Sequence, residues 1–551
     1  MCFAICPAMQ TRAILAATLV AHVACTTAPA PDPGDIEDGI AVPQGKEDDF
    51  LSLSAYEYVL EGRTSVTVEP DVVAQGQEAV DARVRELIGL KQIAVAWFIT
   101  QYLVSKESED PNADYGGFGG MAKAGDYRDL DVTPVGDGVY EFTVRQTIAG
   151  ERNLISVLPI TSESGGRAYF DLAVGKPSNS EMARLETNYE WYRSAPWSSW
   201  DPSKVADDEK EVINFAIERD HDSTDAWFDY NSMFEDGVVD IDIFFGWDYH
   251  DDYHIKHARD LFNWLKNDRG FTPPTGSFDQ LDRTSGPFTR TIDANGREIR
   301  VEVRLYYGKT GTDTDPDTDA GGRQLEADAR ASLATRDVFI YSGHSGPFYG
   351  FALANWRKTL EGDLDDSEMS SLDLPAKYQI VFAEGCDTYG IGEALRSNPN
   401  KPDGTNLDVI TTTSFSNAAT PASAEDFISR LIERDSHGRH RPRTIKSLLS
   451  DLDGNSYWFH TMYGIHGIDD DPALHPYANT EALCQSCSAN AECGGVGNMC
   501  IGIGQSSGKH CAAACTDDRG CPDGYTCAAV ASSSAGGIYG HACAPQTWTC
   551  E

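Results

Sequence analysis

The sequence contains two matching segments, Asp337-Val-Phe-Ile-Tyr-Ser-Gly-His344-Ser-Gly346 and Tyr378-Gln-Ile-Val-Phe-Ala-Glu-Gly-Cys386. Each is a short apolar run that predicts a buried β-strand, followed by a glycine-containing turn with a reactive side chain. If the two strands are parallel neighbours, both turns lie at the same edge of one sheet. A cysteine and a histidine brought together there have the geometry of a nucleophile and its acid–base partner.

Strand-like and helix-like runs alternate on both sides of these segments. Apolar or alternating runs predict strands, and amphipathic runs predict helices between them. The predicted strands cover residues 238–245, 298–307, 337–341, 379–383 and 408–413, and the predicted helices cover 257–267, 324–334 and 424–434. This alternation indicates an α/β domain with a mostly parallel sheet over residues 236–480.

Residues 51–235 form a separate N-terminal region, predicted to be a mixed α+β or β-rich accessory or pro-domain. A helical pattern covers residues 75–104, and a further helix is predicted over about 207–218. Strand-like runs cover residues 65–68, 139–144 and 153–159. No candidate site is evident in this region.

The first 50 residues predict export. Residues 1–25 combine Arg12, an apolar run and Cys25, which is typical of a signal and specifically of a bacterial lipoprotein signal with a lipidated cysteine. Residues 26–50 then form a flexible acidic tether. No later segment is expected to cross a membrane, so the protein is predicted to be a cell-surface lipoprotein or a secreted protein.

The charge of the chain limits its partners. Asp and Glu number 86 against 44 Lys and Arg among the 551 residues, a formal net charge of −42. Sequence-independent binding to nucleic acid needs a basic face, so no nucleic-acid partner is expected. The length predicts several domains rather than one.

The cysteines divide into a crowded tail and one isolated residue. Ten of the 14 lie between Cys484 and Cys550, in a tail of residues 481–551. The spacing of Cys487, Cys493, Cys500 and Cys511 is repeated by Cys515, Cys521, Cys527 and Cys543, with Cys484 and Cys550 left over. The tail is therefore predicted to be two small disulfide-bonded modules. Between tether and tail stands Cys386 alone.

The turns at His344 and Cys386 resemble those of the clan of cysteine peptidases that contains caspases, gingipains, legumain and clostripain. The likeness rests on residues 339–344, on Ala383-Glu-Gly-Cys386 and on a finish at Met462-Tyr-Gly-Ile with Asp471-Pro472. It covers roughly residues 238–477. One departure is Ser345, because the clan normally has glycine directly after the histidine.

The resemblance implies an endopeptidase that uses a His344/Cys386 dyad and a covalent acyl-enzyme. It also implies an oxyanion hole from the N–H groups of Cys386 and of Ser345 or Gly346. Residues from two corners would line the cleft that binds a protein or peptide substrate: Asp248, Asp251, Ser414 and Ser416. An acidic lining favours arginine or lysine before the scissile bond.

An acidic loop gives a separate prediction of calcium binding. Counted from Asp315, the residues Asp317, Asp319 and Glu326 take positions three, five and twelve of a calcium loop. Position six is Ala320 instead of glycine, so the match is partial. Catalysis by a cysteine dyad requires no cofactor, and Ca²⁺ would act beside it.

Two other functions remain open on the sequence alone. Gly343 and Ser345 have part of the pattern of a serine-hydrolase nucleophile turn, although Pro347 breaks it. Alternatively, a degenerate peptidase fold could present the cysteine-rich tail to a partner without catalysis.

Overall fold

The computed structural model describes most of the chain from residue 50 onwards. The described residues are 50–109, 131–183, 195–220, 223–248, 252–346, 350–401, 405–414, 416, 420–454, 461–532 and 537–550. The predicted signal, Cys25 and nearly all of the predicted tether lie outside them, as does Asp251.

The N-terminal part is built mainly of β-strands. Its strands are β1 (Leu51–Ser52), β2 (Ala55–Thr67), β3 (Thr133–Gly136), β4 (Val139–Glu151), β5 (Ile160–Ser164), β6 (Arg167–Gly175) and β7 (Lys210–Arg219). Its α-helices are α1 (Pro70–Val73), α2 (Gln77–Glu107), α3 (Leu154–Val157) and α4 (Asn179–Met182).

All of these elements except β1 form an α+β domain. Six strands lie in the order β3-β4-β2-β7-β6-β5, and each described pairing between neighbours is antiparallel. The long helix α2 packs on the sheet and shares one hydrophobic core with it.

Two predictions for this domain are wrong. The helix predicted over residues 207–218 is strand β7, in which Ile213, Phe215 and Ile217 are buried at every second position. A period of two is the pattern of a strand with one buried face. The strand predicted over 153–159 contains the short helix α3 instead.

The composition of helix α2 differs from the expectation that no later segment could cross a membrane. By length and composition alone, Gln77–Lys106 is apolar enough to do so. However, 83% of its most apolar window is buried inside the protein. A buried core helix and a membrane-spanning helix have similar compositions, because both keep apolar side chains away from water.

The second domain consists of strands that alternate with helices, which is the α/β pattern predicted from the sequence. Its strands are β8 (Val238–Phe245), β9 (Phe288–Ala294), β10 (Arg297–Tyr307), β11 (Val338–Ser342), β12 (Ser345–Gly346), β13 (Gly350–Ala352), β14 (Asp363–Leu364), β15 (Gln379–Glu384), β16 (Leu407–Thr412) and β17 (Tyr463–His466). Its helices are α5 (Tyr230–Met233), α6 (Tyr253–Asn267), α7 (Asp319–Leu333), α8 (Asp366–Met369), α9 (Tyr389–Arg396), α10 (Ala422–Leu431) and α11 (Ile445–Gly454).

An eight-stranded mixed sheet forms the centre of this domain, in the order β1-β17-β16-β15-β11-β8-β10-β9. The five central strands, from β16 to β10, are mutually parallel, and the outer strands pair antiparallel. The parallel sheet agrees with the prediction. Buried residues on its two faces belong to two separate hydrophobic clusters, as expected when both faces are covered.

The domain boundary differs from the predicted one at two places. Strand β1 precedes the N-terminal domain in sequence but pairs with β17 in the central sheet, with Leu51 opposite Ile465. The aromatic residues Trp227, Phe228 and Tyr230 also belong to the core of the second domain. The second domain therefore begins near residue 226 and takes its edge strand from residues 51–52.

The tail is cross-linked by five disulfides, which are compatible with an extracellular protein. They join Cys484 to Cys550, Cys487 to Cys500, Cys493 to Cys511, Cys515 to Cys527 and Cys521 to Cys543. Strands β18 (Ser486–Cys487), β19 (Asn498–Ile501), β20 (Lys509–Ala513), β21 (Tyr525–Ser532) and β22 (Gly537–Pro545) form two small sheets. The two repeats have the same first-to-third, second-to-fourth pairing, so the predicted duplication is confirmed.

Candidate active site

The central sheet reverses its strand order beside β8. From β8 the chain moves outward to β10, and later returns to the other side of β8 to form β11. Crevices at the carboxyl ends of parallel strands next to such a switch are the usual ligand sites of α/β sheets. Asp248 follows β8, and His344 follows β11, so both residues stand at this crevice.

The next strand along the sheet brings Cys386 to the same edge. Strands β11 and β15 are parallel neighbours, with Ser342 paired to Glu384 at their carboxyl ends. His344 and Cys386 each follow two residues after that pair. The expectation that both turns share one sheet edge is therefore confirmed.

A buried carboxylate holds the imidazole of His344. Its Nε2 lies 2.8 Å from Oδ2 of Asp248, a residue that is only 5% exposed. A carboxylate in this position orients the imidazole ring. Asp248 was predicted to line the substrate cleft, and the structure places it against the histidine.

The backbone on both sides of this pair is fixed by Tyr341. Its buried hydroxyl shares its one proton between the carbonyl oxygens of His344 and Ala352, the latter at 3.1 Å. The N–H of Trp247 donates to the same Ala352 carbonyl at 3.0 Å. The turns after β8 and β11 are thus held by one small network of hydrogen bonds.

Cys386 is the free cysteine among the described residues. Its Sγ lies 3.9 Å from the carbonyl oxygen of Ser416. Burial, followed by the nearby Asp387 carboxylate, raises the pKa of the Cys386 thiol to about 12. In this conformation the sulfur therefore keeps its proton at neutral pH.

A second buried acid, Glu384, stands two residues before the cysteine. Its Oε2 accepts a hydrogen bond of 2.9 Å from the hydroxyl of Tyr463, and Ser423 and Ser416 also bond to the carboxyl group. Burial raises the pKa of Glu384 to about 7, although these three hydrogen bonds oppose the shift. Sequence reasoning assigned no role to Glu384. The available signal was a single charged residue at the end of an otherwise apolar strand.

The residues expected to form the oxyanion hole lie at the junction of the two turns. Ser345 and Gly346 form strand β12, opposite Phe351 and Gly350. The hydroxyl of Ser345 donates to the carbonyl oxygen of Cys386 at 2.9 Å. The segment after His344 and the Cys386 turn are therefore in direct contact.

The two serines expected to line the cleft contact the other side of the cysteine turn. The carbonyl oxygen of Ser414 accepts from the N–H of Asp387 at 3.1 Å, and its hydroxyl accepts from the N–H of Met462 at 2.9 Å. Ser416 contacts both the thiol and Glu384, as described above. Of the predicted cleft residues, Asp251 lies outside the described part of the chain.

Each of the residues predicted to bind calcium is engaged with another partner in this structure. The carboxylate of Asp317 pairs with Lys358 at 2.5 Å, that of Asp319 accepts from Thr359 at 2.6 Å, and that of Glu326 pairs with Arg330 at 2.9 Å. Asp315 accepts from the N–H groups of its own loop. Helix α7 already begins at Asp319, five residues earlier than predicted, so Asp319 and Glu326 belong to a helix.

Comparison with known proteins gives no match to a family model, a curated protein or a solved structure.

Proposed function

We propose that this protein is a cysteine endopeptidase with Cys386 as nucleophile and His344 as general acid and base. One observation carries the proposal: the parallel pairing of β11 with β15 puts the two residues at one sheet edge, with His344 held by Asp248. Neighbouring strands that end in a histidine and a cysteine are also what the resemblance to the caspase and gingipain clan implies. The crevice beside β8 would hold the substrate chain.

The reaction follows from these positions. Sγ of Cys386 attacks the carbonyl carbon of the scissile bond, and its proton passes to the ring of His344. Because Nε2 is held by Asp248, Nδ1 is the ring nitrogen that accepts this proton. His344 then gives the proton to the leaving amine, and a thioester forms. Water deprotonated by His344 hydrolyses the thioester and restores the thiol.

The raised pKa of the half-buried Cys386 thiol makes its deprotonation depend on the substrate. A pKa near 12 leaves almost no thiolate at pH 7, so the resting enzyme would react slowly with simple electrophiles. A peptide in the crevice would draw Cys386 away from the Ser416 carbonyl and towards His344. The N–H groups of Cys386 and Ser345 or Gly346 would then bind the oxyanion.

Glu384 supports a preference for a basic residue before the scissile bond. Its buried carboxyl is bonded to three hydroxyl-bearing residues, and one of them, Ser416, also contacts the Cys386 thiol. A substrate guanidinium or ammonium group that reached this carboxyl would ionise it and form a charge-assisted hydrogen bond. Asp248 is engaged with His344, so Glu384 is the stronger candidate for this role.

Localisation and calcium dependence are part of the same proposal. The disulfide-bonded tail fits a protein that acts outside the cytoplasm, anchored through a lipidated Cys25 or secreted. Calcium at Asp315, Asp317, Asp319 and Glu326 would require these side chains to leave their present partners. Covalent labelling of the protein is therefore carried out once with Ca²⁺ and once with a chelator, and calcium dependence predicts labelling only with Ca²⁺.

The test is covalent labelling of the mature, disulfide-bonded protein with a peptidyl acyloxymethyl ketone that ends in arginine. Wild type is compared with Cys386→Ala, His344→Ala and Ser345→Ala. Labelling that requires Cys386, falls strongly without His344 and survives in Ser345→Ala would support the proposal. Peptide mapping would locate the adduct on Cys386.

The same experiment separates the two alternative functions. A serine hydrolase would lose activity with Ser345→Ala and keep it with Cys386→Ala, yet the Ser345 hydroxyl is buried and donates to a carbonyl instead of a base. No labelling by probes ending in Arg, Asp or Asn, with or without prior proteolytic activation, would favour a non-enzymatic binding protein.

A further inference from the structure

A second pocket lies away from His344 and Cys386. It has a volume of about 420 Å³ and is formed by the end of α6, strand β9 and the segment that follows α10. Its walls include three arginines, Arg269, Arg290 and Arg434, and apolar residues such as Trp264, Phe271 and Ile428. Basic side chains gathered in one cavity are unusual in a protein with a net charge of −42.

The pocket and the candidate active site lie at opposite ends of helix α6. The helix begins at Tyr253, shortly after Asp248, and ends at Asn267, beside the pocket. Its 15 residues span about 22 Å at 1.5 Å per residue. The pocket is therefore distinct from the crevice at the carboxyl ends of the strands.

None of the three arginines forms an ion pair with any other residue that the structure describes. Arg269 stacks on Trp264, and Arg290 lies over Phe271 and donates one hydrogen bond of 2.8 Å to the carbonyl oxygen of Arg269. The Nε of Arg290 is shielded from solvent and has no hydrogen-bond partner in the described structure.

The surroundings of Arg290 add repulsion. Burial, and then the charges of Arg434 and Arg269, lower the pKa of Arg290 to about 10. Arg290 is half-buried, and removing a cation from water without a counter-ion costs free energy. An anion that entered the pocket would relieve both the repulsion and the unsatisfied Nε.

Two of the acidic residues that line the pocket are paired with arginines outside it. Glu433 pairs with Arg443 at 2.5 Å, and Asp435 pairs with Arg439 at 2.7 Å. Asp268 is an exposed residue on the helix end. Arg269 also interacts electrostatically with Glu425 and Asp426 of α10. Arg290 and Arg434 are therefore the two guanidinium groups of the pocket without an acidic partner among the described residues.

We propose that this pocket binds a small organic acid, in which a carboxylate or phosphate group is joined to an apolar group. The oxyanion would lie between Arg290 and Arg434, where planar guanidinium groups bind such anions with two hydrogen bonds each. The apolar part would pack against Phe271 and Ile428. This site is independent of the proposed peptidase activity.

The test is calorimetric titration of the full chain with phenyl phosphate, benzoate and inorganic phosphate at low ionic strength. Wild type is compared with Arg290→Gln and Arg434→Gln. The charge-matched control is Arg323→Gln. Arg323 is an exposed residue of helix α7 and is paired with Glu361. Binding of phenyl phosphate or benzoate is expected to weaken about tenfold or more in either pocket variant and to stay unchanged in the control.

Each outcome decides the matter. Preference for phenyl phosphate or for benzoate would identify the acid as a phosphate or a carboxylate. Absence of saturable binding to wild type, or equal binding to the pocket variants and the control, would overturn the proposal. Inorganic phosphate binding as tightly as phenyl phosphate would refute the apolar part of the site. Arg434 is exposed, so its variant tests the site even if Arg290→Gln impairs folding.

Discussion

The side chain of Ser345 fills the space next to the α-carbon of Gly385. A β-carbon added at Gly385 would stand 1.8 Å from Oγ of Ser345 and 2.7 Å from its Cβ. Since Ser345 follows His344 and Gly385 precedes Cys386, this contact joins the two turns of the candidate site. Position 385 therefore requires glycine, because the Ser345 side chain occupies the space that a β-carbon would need.

Replacement of Gly385 by alanine is expected to destabilise the protein by about 1–3 kcal/mol, the usual cost of overpacking. The variant Ser345→Gly removes the obstructing atoms, so the double variant should recover part of this loss. Thermal unfolding of both single variants and the double variant measures the coupling between the residues. Additive losses would show that the contact does not limit position 385.

The pair Asp248–His344 predicts a positioning role for the aspartate. Asp248→Asn keeps the shape of the side chain but removes the carboxylate that orients the His344 ring through Nε2, so kcat/KM should fall by about 10²- to 10⁴-fold. The pH profile should shift as well, which a purely structural defect would not produce. Asp279→Asn, at an exposed site near helix α6, is the control and should keep full activity. A wild-type profile in Asp248→Asn would contradict the assigned role.

The raised pKa of Glu384 predicts that preference for a cationic substrate depends on pH. The carboxyl group is neutral below about pH 7 and ionised above it, so preference for a cationic substrate should strengthen as pH rises through 7. The measurement is the ratio of kcat/KM for matched substrates ending in arginine and in neutral citrulline, from pH 5.5 to 8.5. In Glu384→Gln this ratio should be low and independent of pH. An unchanged ratio in the variant would place the basic preference elsewhere.

A buried pair of acids predicts how stability responds to pH. Asp408 and Asp471 are hydrogen-bonded to each other, and burial raises the pKa of each carboxyl above its usual range. The folded protein therefore holds protons that the unfolded chain releases above about pH 4, and stability declines as pH rises through the raised pKa values.

The size of this effect can be measured with one substitution. Each pH unit over which only the folded state holds an extra proton costs about 1.4 kcal/mol, or about 3–5 °C in Tm for a domain of this size. Between pH 5 and 9 the Tm of wild type should fall more steeply than that of Asp408→Asn. Parallel curves would show that the pair does not hold this proton.

The parts of the fold that follow a strong local pattern were predictable. The apolar runs before His344 and Cys386 are strands because their residues are buried on both faces of a parallel sheet. The helix prediction for residues 207–218 was wrong because their many charged residues obscure a weak period of two around Phe215. Strand β1 has two residues, and its place is set by a partner more than 400 residues away, so no local pattern reveals it.

The candidate site was predictable to a similar degree. His344 and Cys386 could be identified from the sequence, because each is a reactive residue that directly follows the apolar run of a buried strand. The roles of Asp248 and Glu384 depend on which side chain each one faces, and that information is three-dimensional. The contacts of Asp317 and Glu326 with basic residues were likewise invisible in the spacing of the acidic loop.

The position of β1 has a consequence for how this protein can be divided or inherited. The ring of Phe50 packs over Gly464, and Leu51 pairs with Ile465. The chain then leaves to build the whole N-terminal domain before it returns. A gene fragment that starts near codon 223 would encode His344 and Cys386 without the outermost strand of their sheet. Recombination at a single breakpoint therefore cannot exchange either domain intact, and the two are expected to have been transmitted together.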